Sequence, residues 1–447
     1  MSTELDKSKV NGIVFQEPEE WIQTYMKLPS QALYDFVMDT LDQHLNDAFL
    51  EKIDLVEYLF DVREQIRPTQ EMELVQKLRT REPDYYRGIF CYFENHVIEY
   101  ALFRNEPDKT KEALQYFIQD PVNGIDMLIP VLRLLYLYGD TEMALECSQK
   151  VYNQVKDSPE LIPGAEIEFA DVLYMGMWQE AYRQLQAGND VDSSQLNEQI
   201  AEWDYEVDED EVEEIKKRLS QADITIENPA GPWLAREARI LWLRQTSWFF
   251  LRYMLERKRI DFISSDTIWC AFFDFLERKQ PEIAKLDPET YFDFNLQELG
   301  GYLAKILSAQ QAKIFAIAWG IPYIYDFLLE HLVISPQLHK KAIDVVRRLK
   351  PLLMDGYRDT LWKYDFVHRW MPPDTFPDFE SEEVEAFRAS FDKQKPAATK
   401  SRLQLYHETQ KTALMNQRKE RQAKTEKSKK IKSKKTEAKK QRKKNRR

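Results

Sequence analysis

Glycine is scarce in this chain: 12 of 447 residues, about 2.7%, against a usual share of roughly 7%. Nucleotide-binding turns, phosphate loops and tightly turned β-barrels place glycine wherever φ must be positive. The scarcity weighs against all three and favours helices. Apolar periodicity agrees. Residues recur three or four apart at Ile125, Leu128, Leu132 and Leu135, and again at Ala144, Cys147 and Val151. Asp287-Pro288-Glu289 and Ser335-Pro336 each supply a capping oxygen followed by proline at the first helical position. Ser30 predicts a helix from Gln31 toward Phe49, and Thr69 predicts one over Glu71 to Leu78. Ile13–Phe15 and Ile224–Ile226 are the only strand candidates. The expected fold class is all-α.

Composition divides the chain into five expected segments. Residues 1–187 form a helical zone. Residues 188–231 form a mobile acidic linker, in which 8 of the 12 residues from Asp204 to Ile215 are Asp or Glu. Residues 232–370 form a helical domain whose core draws on Trp233, Trp242, Trp248, Phe249, Phe250, Trp269, Phe272, Phe273 and Trp319. Arg236, Arg239, Arg244 and Arg252 on that domain are expected to pair with the acidic linker. Gly300-Gly301 marks a close-packing point or a kink. Residues 371–416 form a proline-containing loop and an amphipathic helix. Leu403, Tyr406 and Leu414 would hold that helix against the body from Lys400 to about Ala423. Residues 417–447 form a Lys/Arg-rich tail.

In the first zone a short pattern recurs. Gly139-Asp140-Thr141-Glu142-Met143-Ala144 and Gly176-Met177-Trp178-Gln179-Glu180-Ala181 each place alanine five residues after glycine. Asp108 to Ala113 is a weaker copy without the glycine. The physical logic is a left-handed glycine ending one helix and a small alanine letting the next lie close. From about Cys91 to Leu185 this resembles the helix-turn-helix junctions of tetratricopeptide repeats. The resemblance departs from the family where Leu132 and Phe169 replace small residues. Ordinary αα-hairpins remain the alternative. The resemblance implies an α-solenoid-like zone whose concave surface binds a peptide or protein partner, without catalysis.

Specific catalytic and metal signatures are absent: no GxSxG, GxxxxGK[ST], GxGxxG, HExxH or CxxC occurs. His96 and Glu99 share a helix face near Cys91, too few ligands for a metal. His331 and His339 are poorly spaced for one helix face. No cofactor, metal site or catalytic residue is expected. The three cysteines, Cys91, Cys147 and Cys270, are widely separated, which argues against a disulfide framework. The N-terminal MSTELDKSKV has no apolar secretory region. The longest apolar run, Ile314 to Tyr325, falls short of the ~20 residues of a membrane span. A cytoplasmic chain without a transmembrane segment is expected.

The net charge of −13 hides a split. Residues 417–447 carry 17 Lys/Arg against 3 Asp/Glu, a net of +14, which leaves −27 for residues 1–416. The tail's expected polyanion contacts are Lys427, Lys429, Lys430, Lys432, Lys434, Lys435, Lys439, Lys440, Arg442, Lys443, Lys444, Arg446 and Arg447. With so few apolar residues it is expected to be disordered alone. It supplies salt-sensitive affinity but no base-specific contacts. The expected function is a non-enzymatic helical adaptor that binds a protein partner, with the tail tethering it to nucleic acid or ribosome. Two alternatives stand beside it: a nucleic-acid-associated protein acting through the tail, and a helical enzyme whose site the fold assembles.

Overall fold

The computed structural model describes residues 17–43, 47–205, 207–224, 226, 236–279, 287–306, 310–377, 380–391, 393 and 400–410. Ile13–Phe15, Trp233, Leu414 and the whole Lys/Arg-rich run lie outside the described residues. The described chain is all-α, with no strand among these residues; Ile224 and Ile226 are not in one. It divides into two units, residues 1–88 with 394–447 and residues 89–393. The boundaries expected at 187 and 231 therefore fall inside one unit rather than between two.

In the first unit, α1 (Pro18–Tyr25), α2 (Leu33–Asp42), α3 (Asp47–Ile53), α4 (Leu55–Arg63) and α5 (Pro68–Arg81) lead into α6 (Pro83–Ile89). The single helix expected from Gln31 to Phe49 is instead α2 and α3, and α5 begins ahead of Thr69. Trp21, Tyr25, Phe36 and Tyr58 make the core, with Trp21 edge-on to Tyr58 at 4.9 Å. Trp21 Nε1 donates to Thr40 Oγ1 at 2.9 Å, so the buried indole is satisfied. Asp61 is also buried. One of its oxygens accepts the Tyr25 hydroxyl at 2.8 Å and the other accepts the Leu403 backbone N–H at 3.0 Å. Gln404 donates to the carbonyls of Tyr25 (3.1 Å) and Leu28 (2.9 Å). Residues 400–410 are thus pinned by polar groups. The expected apolar anchor Tyr406 is 58% exposed, whereas Ser401 and Gln404 are buried.

The second unit runs through α7 (Glu94–Arg104), α8 (Pro107–Gln119), α9 (Pro121–Leu137), α10 (Thr141–Lys156), α11 (Ile167–Gln186), α12 (Ser193–Glu202), α13 (Glu209–Ser220) and α14 (Arg236–Tyr253). It continues with α15 (Phe262–Lys279), α16 (Pro288–Tyr291), α17 (Leu296–Leu303), α18 (Gln311–Glu330), α19 (Pro336–Gly356), a 3-10 segment (Leu361–His368) and α20 (Ser381–Ala389). Helices α7 to α11 pack on their sequence neighbours as a hairpin series. Helix α9 also packs on α15 and α18, and α7 meets the 3-10 segment. Helix α18 is the central strut. It is long and apolar enough to cross a membrane, but 89% of that window is buried against its neighbours. A Cβ at Gly320 would collide with Ile268 of α15, so glycine sets how closely these two helices approach.

The expected caps at Asp287 and Ser335 form: Asp287 accepts from Thr290 N at 2.7 Å and Ser335 from Leu338 N at 3.2 Å. Three hairpin helices end in one backbone pattern. After α7, α9 and α11, left-handed Asn105, Gly139 and Gly188 are each followed by an N–H that reaches back five residues: Glu106 to Ala101, Asp140 to Leu135, Asn189 to Gln184. The turn expected at Gly176 is corrected. Gly176 lies inside α11, which runs unbroken to Gln186, and the turn glycine of that helix is Gly188. Ala113, Ala144 and Ala181 are all buried.

The mobile acidic linker is corrected as well. Residues 209–220 form α13, with Val212, Ile215 and Leu219 buried against neighbouring helices. Asp208 caps its start by accepting from Glu211 N at 2.8 Å. Arg252 closes its end by donating to the carbonyls of Arg218 (3.1 Å) and Gln221 (2.7 Å). Arg239 makes a two-pronged bond to Glu277 at 2.8 and 3.0 Å, and Arg236 joins it, so these arginines serve α15 rather than the acidic stretch. The aromatic set is core, with Phe250 and Phe272 fully buried and Trp269 nearly so. Gly300 and Gly301 have no atom within 4 Å of a Cβ position, so neither is a packing point.

Candidate functional site

The thirteen tail residues lie outside the described chain. What the structure positions is the segment just before them, held by Asp61 and Gln404 in the first unit. Two histidines, His368 and His339, are drawn into pairings that tie elements together. His368, nearly fully buried, sits between Asp365 (Nδ1, 3.2 Å) and Glu383 (Nε2, 3.0 Å). Glu383 also accepts from Trp319 Nε1 at 2.7 Å and faces Lys350 at 3.5 Å. Burial opposes protonation of His368, but the bonds to Asp365 and Glu383 outweigh it and raise its pKa. This cluster joins α18, α19, the 3-10 segment and α20. His339 Nε2 contacts Asp326 Oδ1 at 2.8 Å and Thr375 Oγ1 at 3.2 Å, and Thr375 itself hydrogen-bonds Asp326. A relay would need Asp on one ring nitrogen and the hydroxyl on the other. Here both meet the same nitrogen, an arrangement that fixes the loop at Thr375 rather than forming a relay. His96 is engaged with Glu99 at 3.2 Å. No group of three or more His, Cys, Asp or Glu suited to a metal occurs among the described residues.

The hairpin series instead presents a groove of about 740 Å³ between α10, α11 and α12. Its floor is α11, with Leu173, Met177, Glu180 and Gln184. One wall is α10, with Leu145, Gln149 and Asn153 at successive four-residue steps. The other is α12, with Gln195 and Gln199. Gly176 matters here for close approach: a Cβ would run into the Leu145 side chain, so glycine lets α10 lie against α11. The ends of the groove are braced. Lys156 at the end of α10 bonds Asp204 at 2.7 Å and reaches the Glu202 carbonyl. Asp192 caps α12 through Ser194 N at 2.9 Å, and Lys216 of α13 reaches Ser193 and Asp190.

Two amide pairs, Gln149/Asn153 and Gln195/Gln199, therefore face one channel from opposite walls, and their side chains hydrogen-bond to no other described residue. Gln179 differs: it donates to Asp261 (3.2 Å) and accepts from Phe262 N (2.8 Å), binding α11 to the start of α15. An amide carries both a donor and an acceptor, the same equipment as a peptide backbone. Charge along the groove is mainly negative, with Glu180, Asp190, Asp192 and Glu202 against Arg183. Gly139, Ala144 and Ala113 were legible as helix junctions. The amide pairs were not, because glutamine and asparagine belong to no motif and only the fold aligns α10 with α12.

No family model, no curated protein and no solved structure matches the chain.

Proposed function

We propose that the chain is a non-enzymatic helical adaptor. It takes an extended, basic segment of a protein partner into the α10–α12 groove, and residues 417–447 tether it to a nucleic acid or the ribosome. The amide-lined groove carries this reading. Its free amides suit a backbone whose own N–H and C=O groups need partners. Leu145, Leu173 and Met177 offer apolar contact between them. The acidic residues favour lysine and arginine on the incoming strand. The pairings of His368 and His339 support the non-enzymatic half, since each joins elements of the fold. For the tether, the +14 charge is joined to a chain segment fixed by buried polar groups.

The two halves are tested separately. RNA and duplex DNA binding is measured at 50 and 200 mM salt for the full chain and for a truncation after Asn416. The tether requires binding only by the full chain, falling by about 10³–10⁵ across that salt range for 6–10 phosphate contacts. Equal binding by the truncation would remove it. Gln149→Ala with Asn153→Ala tests the groove: a bound partner peptide should lose at least tenfold in affinity, while nucleic-acid binding stays unchanged.

A further inference from the structure

The acidic body also holds a basic pocket, built from other residues than the groove. With residues 1–416 at −27, arginines of the second unit commonly meet acids. Arg133 meets Glu168 at 2.7 Å, Arg239 meets Glu277 at 2.8 Å and Arg257 meets Glu330 at 2.7 Å. Three that share one cavity do not. Arg104 at the end of α7, Arg369 just after the 3-10 segment and Arg388 in α20 line a cavity of about 470 Å³. None of the three has an ion pair among the described residues. The acid among the lining residues, Asp365, is in contact with His368 Nδ1 at 3.2 Å. Asp140, raised by burial, feels Arg369 without forming an ion pair with it.

The fold brings the three together. The 3-10 segment packs on both α7 and α20. Arg369 Nη2 donates to the carbonyls of Leu102 (2.7 Å) and Phe103 (3.1 Å), and its guanidinium lies 4.6 Å over the Tyr138 ring. These contacts hold Arg369 in place and use one of its nitrogens. Nε and Nη1 bond no other described residue. Phe103 stacks on Phe391 with ring centroids 4.8 Å apart, which ties Arg104, next to Phe103, to Arg388, three residues before Phe391. Arg104 and Arg388 are exposed and make no hydrogen bond to a described residue.

We propose that this pocket binds a dianionic phosphoryl group, either free phosphate or the end of a phosphate monoester, clasped by Arg104, Arg369 and Arg388. A guanidinium presents its N–H groups in a rigid fork that matches phosphate oxygens two at a time, and it does not lose its charge. A phosphoryl group offers three terminal oxygens and close to two charges. That suits three cations converging from three elements of the fold. A carboxylate has two oxygens and one charge, and would leave one of the cations unanswered. The cavity is larger than a phosphate ion, and half-buried Phe103 gives the body of an ester a surface to lie on. A nucleic-acid backbone is made of singly charged diesters, so the pocket differs in chemistry from the tether expected of residues 417–447.

The experiment is titration calorimetry on the full chain with phenyl phosphate, inorganic phosphate and phenyl sulfate. At pH 8 a phosphate monoester is dianionic, its second pKa being about 6, while the sulfate ester of the same shape carries one charge. Saturable binding of phenyl phosphate is expected, tighter than that of phenyl sulfate. Arg104→Gln and Arg388→Gln should each weaken it about tenfold, the loss of one charge-assisted pairing. Both should melt with wild type, because neither side chain bonds a described residue. The Lys/Arg-rich tail attracts anions too, but it is intact in both variants, so the drop belongs to the pocket. Phenyl phosphate bound more tightly than inorganic phosphate supports the proposal with an ester as the ligand, and equal affinity supports it with free phosphate. Should Arg104→Gln melt lower, Arg388→Gln decides alone. Wild-type affinity in Arg388→Gln, phenyl sulfate bound as tightly as phenyl phosphate, or no saturable binding of either phosphate overturns the proposal.

Discussion

Replacing Glu99 by glutamine tests how the second unit is closed. Glu99 lies on α7, the first helix of that unit, with His96 Nδ1 at 3.2 Å and Lys363 Nζ of the 3-10 segment at 2.6 Å. Burial alone would raise its pKa, but Lys363 and His96 hold it down to about 2 from an ordinary 4.5. That difference, at about 1.36 kcal/mol per pKa unit, corresponds to about 3 kcal/mol. A folded-state pKa below the unfolded one stabilises fully above about 4.5, and the stability is lost as pH falls toward 2. At pH 3 the same pair of values leaves about 1.4 kcal/mol. Nine of the ten tryptophans fall within residues 89–393, so tryptophan fluorescence follows this unit in urea. Glu99→Gln should be less stable than wild type by about 3 kcal/mol at pH 7, and the gap should narrow to roughly half by pH 3. Equal stability at pH 7, or a gap that stays constant with acid, would refute the account of this pairing.

Gly320→Ala should destabilise by about 1–3 kcal/mol, even though alanine is the better helix former, because its methyl meets Ile268; an unchanged or higher melting temperature contradicts this. Asp61→Ala leaves the Tyr25 hydroxyl and the Leu403 N–H without their acceptor, at about 1–3 kcal/mol for each group left unsatisfied. Trypsin should then cut at Lys400 and Arg402 faster than in wild type, and an equal rate would show that Asp61 does not hold this segment.

Much of the fold was legible because local rules and tertiary packing agree. The caps at Asp287 and Ser335, the left-handed end at Gly139 and the buried aromatic set from Trp242 to Phe273 all follow from short-range chemistry. The misreadings share a cause: one signal masked another. In α13, Val212, Ile215 and Leu219 are spaced three and four apart, but eight acids around them made the segment read as a linker. At Gly176 the match to Gly139 outweighed the absence of a following cap. A helix interior tolerates glycine at a cost of about 1 kcal/mol, and Leu145 fills the space it leaves. The return of residues 400–410 to Asp61 joins groups 342 positions apart and had no local sign. The same is true of the groove. Gln149 and Asn153 announce one helix face, but nothing in the sequence places Gln195 and Gln199 across from them.

The most direct test of the adaptor reading is peptide selection on the groove itself. Random twelve-residue peptides displayed on phage are selected on the full chain. Enriched sequences are then titrated against wild type and against the variant carrying Gln149→Ala, Asn153→Ala, Gln195→Ala and Gln199→Ala. All four side chains lie in the channel walls without hydrogen bonds to other described residues, so the variant should melt with wild type. The account predicts enriched peptides rich in lysine and arginine that bind wild type at least tenfold more tightly than the variant. Peptides that bind both chains equally, or a selection that enriches none, would contradict it.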